Sequence, residues 1–84
     1  MIPQLRQSFA VKRGRYAGEI MIFIEKTNHR YTFLSIPVMK NRYIPTDKFE
    51  SGWQNGIIEF VEVIPADVYK TVILQFKRNC TEIK

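Results

Sequence analysis

Ile20-Met21-Ile22-Phe23-Ile24 is the longest unbroken apolar run of the chain, and it is fenced by Glu19 and Glu25. As a strand it offers apolar side chains to both faces of a sheet, because successive residues point to opposite sides. Only a strand covered on both faces satisfies that pattern, so residues 20–24 should form the central, most buried strand. The run is far too short to cross a membrane, which takes about 20 apolar residues in a helix.

Working outward, Thr27-Asn28-His29-Arg30 is a polar break of hairpin length, and Asn28 tolerates the left-handed region. Tyr31 to Val38 returns as the next strand. With Asn28 and His29 as the loop, Phe23 falls opposite Leu34 and Ile24 opposite Phe33, two apolar couples. Pro37 has no amide hydrogen to give, so this strand should end, or lie on an edge, near it. On the other side of the central run, residues 5–12 alternate loosely. Leu5, Phe9 and Val11 are apolar there, and Arg6, Ser8 and Lys12 polar, as in a half-buried strand. Gly14 in Arg13-Gly14-Arg15 supplies the reversal between the two.

The second half is less direct. Asn55-Gly56 is either a hairpin turn or a helix stop. Thr46 or Asp47 followed by Glu50 can cap a short helix carrying Phe49 and Trp53 one turn apart. A helical turn over 46–55 is the better reading, since Gly52 would weaken a strand and Trp53 needs a core. Residues 57–64 then form a strand. For 66–80 two patterns compete. Val68, Tyr69, Val72, Ile73, Phe76 and Cys80 share one helical face, whereas Val72, Leu74 and Phe76 share one side of a strand. The β-propensity of Thr71-Val72-Ile73-Leu74 and the sheet-rich remainder favour the strand. The expectation is a single domain over 1–84, mainly β and barrel-like, with an α+β fold ending in a helix at 66–80 as the alternative.

Composition narrows the function. Eighty-four residues, 45% of them hydrophobic and with six Phe, four Tyr and one Trp, support one core and no more. The net charge of +5 is uneven: residues 1–42 hold eight bases and two acids, residues 43–84 five bases and six acids. A basic half suits a polyanion, either nucleic acid (RNA or DNA) or an anionic membrane surface. One cysteine, Cys80, excludes an internal disulfide, and Met1-Ile2-Pro3-Gln4-Leu5-Arg6 lacks the apolar core of a secretion signal. A soluble protein of the reducing cytoplasm is therefore expected.

Residues 11–24 read Val-Lys-Arg-Gly-Arg-Tyr-Ala-Gly-Glu-Ile-Met-Ile-Phe-Ile. This stretch resembles the KOW motif, a strand-loop-strand element with a loop glycine found in ribosomal proteins and transcription elongation factors. Val11, Gly14, Gly18, Ile20, Ile22 and Ile24 fill the motif's positions, while Met21 stands near where a later glycine is common. The resemblance implies a small SH3-like barrel whose loops touch RNA, DNA or a polymerase-associated protein. In that reading Lys12, Arg13 and Arg15 meet phosphates and Tyr16 stacks a base. Arg30, Lys40 and Arg42, near the ends of the following strand, extend the basic surface.

No enzyme site is legible. His29 is the only histidine and sits in a turn, Cys80 lies four residues from the C-terminus, and the two cannot close a zinc site. No cofactor motif is present. A non-catalytic nucleic-acid-binding module is the expected function; a small domain that docks on a larger protein, through an edge strand or Trp53, is the alternative.

Overall fold

The computed structural model describes residues 1–81. In chain order the elements are β1 (Gln7–Val11), β2 (Ile20–Thr27), β3 (Arg30–Ile36), β4 (Lys40–Pro45), α1 (Thr46–Gln54), β5 (Ile58–Val63) and α2 (Ala66–Thr81). One antiparallel sheet runs β4-β3-β2-β1-β5, so the chain lays down a four-stranded meander and returns β5 beside β1. β2 lies at its centre, as its two-faced apolar sequence requires.

Alternation along β2 and β3 divides the core in two. Met21, Phe23, Tyr31 and Phe33 join Phe9, Val11, Ile58 and Phe49 of α1 in one cluster. Phe49 stacks on Phe33 with ring centroids 5.5 Å apart and meets Phe9 edge-on at 5.3 Å. Ile22, Ile24 and Leu34 point the other way and pack with Ile64 and Val72, flanked by Tyr69, Ile73 and Phe76 of α2. α1 touches β3, β4 and β5. It thereby spans from one edge strand of the sheet to the other and gives the small domain its barrel-like form.

Residues 66–81 form a helix, against the preference for a strand. The helical stripe Tyr69-Val72-Ile73-Phe76 meets an apolar sheet face that has no other cover, and that burial outweighs the β-propensity of Thr71 to Leu74. Leu74, inward in the strand reading, is 68% exposed on the outer side of α2. The Tyr69 hydroxyl donates to the Phe23 carbonyl at 2.8 Å, and Asn79 of α2 donates to the carbonyl of Met39 and to Asn41 Oδ1 beside β4. Burial holds the Tyr69 phenol above its ordinary range.

Three local expectations change in detail. The turn register holds at Thr27↔Arg30, Lys26↔Tyr31 and Glu25↔Thr32, but an irregularity between Phe23 and Glu25 then shifts the pairing. Phe23 consequently faces Phe33, and Ile22 faces Leu34. The extra residue, Ile24, lets the aromatic pair share the α1 side while Ile22 and Ile24 serve the other. Leu5 lies ahead of β1 and is exposed. The helix at 46–54 has Pro45 at its N-cap with no side-chain cap; Glu50 instead accepts from the Met1 ammonium at 2.7 Å. Asn55-Gly56 does end it. Ile57 N–H donates to the Gly52 carbonyl, Gly56 N–H donates to that of Trp53, and Gly56 has φ 72°, a Schellman stop.

Truncating Ile22 to alanine should cost about 2–5 kcal/mol, read from the denaturant midpoint; an unchanged midpoint would place β2 at the periphery. Tyr69→Phe should cost about 1 kcal/mol by the same measurement, for the lost bond to Phe23.

Candidate nucleic-acid interface

Residues 12–19 connect β1 to β2 and are shaped by two glycines, Gly14 at φ 93° and Gly18 at φ 89°. Gly18 N–H donates to the Val11 carbonyl at 2.9 Å, and Val11 N–H donates to Glu19 at 3.0 Å. That is the pattern of a glycine bulge, which turns the loop out from the sheet. No neighbouring atom approaches the Cβ position of Gly18, so its positive φ is what calls for glycine. The tip is closed by Ala17 N–H on the Gly14 carbonyl and Glu19 N–H on that of Tyr16.

One polar knot anchors the loop. The Glu19 carboxylate accepts from Arg42 Nη2 at 3.0 Å, from Arg42 Nε at 3.2 Å and from Ser35 Oγ at 2.5 Å. Arg42 also lies 4.4 Å from the Tyr16 ring centroid, within cation–π range. The two-pronged bond from Arg42 holds the Glu19 carboxyl below its usual range, against the opposing pull of burial, with Ser35 and the charge of Lys40 adding to it. Arg42 is raised in turn, chiefly by its bond to Glu19.

Beside this knot lies a cleft of about 620 Å³. Arg13, Arg15 and Tyr16 of the loop form one wall, and Lys48 and Ser51 of α1 form the other. Its floor is apolar, from Val11, Met21, Ile44, Ile57 and Ile58, and none of its lining residues is acidic. Arg13 Nη2 donates to the Asn55 carbonyl at 3.2 Å, which ties the loop to the end of α1. The Arg15 guanidinium lies 5.8 Å from the Tyr16 ring centroid. Neither Arg15 nor Lys48 forms an ion pair among the described residues.

The seven residues singled out from sequence are thus distributed. Arg13, Arg15 and Tyr16 meet at the cleft. Arg42 is committed to Glu19 and positions Tyr16. Lys40 stands exposed near the same knot. Lys12 approaches Glu59 at 3.4 Å, in a pair whose two side chains are more than half exposed and which therefore contributes little. Arg30 packs on Tyr43 at 5.0 Å. By register it belongs to the α2 side of the sheet, away from the cleft. Sequence reasoning missed Lys48 and Ser51. Their i,i+3 spacing on the polar side of a helix whose inner face holds Phe49 and Gly52 was the available signal.

His29 is exposed in the β2–β3 turn and Cys80 is exposed on α2. Among the described residues no three His, Cys, Asp or Glu side chains come together as a metal site would need. No helix among them is long and apolar enough to cross a membrane. Comparison with family models, curated proteins and solved structures finds no match.

A pH dependence follows from the knot. Because the folded-state pKa of Glu19 is depressed, its contribution is complete above the unfolded carboxylate value, about 4.3, and is lost as pH falls through the folded one. Urea midpoints measured across acidic pH should fall less steeply for Glu19→Gln than for the native chain. Parallel curves would show that the Arg42 pair adds nothing.

Proposed function

We propose that this domain binds RNA or DNA without catalysis, holding phosphates with Arg13, Arg15 and Lys48 around the cleft. The observation that carries the reading is the cation-rimmed cleft with no acid in its lining. Cations left without carboxylate partners can neutralise phosphates, and each phosphate neutralised releases counterions condensed on the nucleic acid. The rim also combines two separate elements, a loop tethered through Arg13 and a helix.

The resemblance of residues 11–24 to a KOW motif, an element of proteins that touch RNA or DNA, supports the same reading. Val11 ends one strand, the glycine-shaped loop carries the cations, and Ile20 opens the next. The contacts involve phosphates and few base edges, so discrimination among sequences should be slight. The lone cysteine fits a cytoplasmic setting, where nucleic acid is at hand.

A second reading rests on β5. Phe60, Val61 and Val63 are 43–50% exposed on this edge strand, an arrangement that suits strand addition by a larger protein. It predicts no affinity for random nucleic acid at low salt.

Anisotropy titrations of a labelled oligonucleotide at several salt concentrations separate the two. Three phosphates engaged should give a slope of log affinity against log salt of about −2 to −3. Replacing Arg13 and Arg15 by alanine should weaken binding to all sequences alike and flatten the slope by about 1.5. Absence of binding at low salt would remove this function.

A further inference from the structure

Phosphate binding alone needs cations on a surface; it does not need an apolar recess behind them. The recess is present. Val11, Met21 and Ile58 are nearly or wholly buried at the bottom of the cleft, with Ile44 and Ile57 half-buried beside them. Its volume of about 620 Å³ falls inside the roughly 300–1,000 Å³ of pockets that enclose a small ligand. Cations at the mouth and hydrocarbon at the base match a ligand with an anionic end and a flat, weakly polar body.

We infer that the cleft takes one unpaired nucleotide, with its phosphate on Arg13, Arg15 and Lys48 and its base against the Ile44–Ile57 floor. The inference rests on the nucleic-acid reading above and adds to it a preference for single strands. In a duplex the bases are stacked and paired, so only phosphates reach the cleft, and the apolar floor contributes nothing. An unpaired base turns in at no unpairing cost. The aromatic ring at the wall, Tyr16, already carries Arg42 at 4.4 Å, so the base gains chiefly from the aliphatic floor. Ser51 stands at the α1 wall of the cleft.

The test keeps charge constant and varies the base. Native protein is titrated with an oligothymidylate, an abasic strand, and a duplex of half the length, so that all three carry the same number of phosphates. One seated base should make the thymidine strand bind about tenfold more tightly than the abasic strand or the duplex, a ratio that burial of about 55 Å² of apolar area supplies. Ser51→Leu, which narrows the recess from the α1 wall without altering charge, should erase that ratio and leave duplex binding unchanged. Ser51→Ala, which leaves the recess open, should keep the ratio and guards against loss of fold. Equal, salt-dependent affinity for all three ligands overturns the seated base while phosphate binding stands. No affinity for any of them at low salt removes both.

Discussion

β2 imposes the condition that the rest of the structure meets. Its alternating side chains give the sheet two apolar faces, and apolar area left in water on either face would cost about 25 cal/mol per Å². A sheet with one wet face, the common antiparallel solution, is therefore closed to this chain. Two helices of different length answer the demand. α1, nine residues long, covers the face lined by Phe9, Phe23 and Phe33, and the sixteen residues of α2 cover the face lined by Ile22, Ile24 and Leu34. The placement of the cleft follows from this division. α1 is too short to shield its whole face, and the uncovered margin over Val11, Ile44 and Ile57 is where the β1–β2 loop leans across.

The same accounting shows why some of the fold was legible in sequence and some was not. The run 20–24, the Asn28-His29 turn and the 46–55 helix are local patterns whose signal lies within a few neighbouring residues. The bulge at Ile24 is not local. It reconciles a register set by the turn with the packing of Phe23 on Phe33, whose ring centroids lie 5.7 Å apart, and neither side of that conflict is visible without the other. The C-terminal segment is similar. Residues 66–80 carry a helical stripe and a strand propensity together. What decides between them is the uncovered second face of the sheet, a property of residues more than thirty positions away.

Charge was harder to read than hydrophobicity. Lys12, Arg13, Arg15, Arg30, Lys40 and Arg42 look alike as letters, yet the fold gives them different partners. Arg42 is drawn to Glu19 because the β1–β2 bulge sets that carboxylate beside β4 and Ser35. Arg30 goes to the opposite face because side chains on β3 alternate. Lys48 joins Arg13 and Arg15 only through the docking of α1, a proximity across more than thirty residues that no spacing rule contains. The net charge of the N-terminal half was a fair guide to sign and a poor guide to place.

Pairing Arg42 with Glu19 also bears on how the cleft can work. A loop with two positive-φ glycines loses much conformational entropy on ordering. If it had to order when a ligand arrived, that cost would be subtracted from affinity. Here the knot of Glu19, Arg42, Ser35 and Tyr16 bears it during folding, and the Arg13 bond to the Asn55 carbonyl fastens the far side. The Glu19 carboxylate is consumed by a cation outside the cleft lining, so it does not neutralise Arg15 or Lys48. Arg15 and Lys48 stand at the pocket mouth without a carboxylate partner among the described residues, so neither adds an ion pair to the stability of the fold.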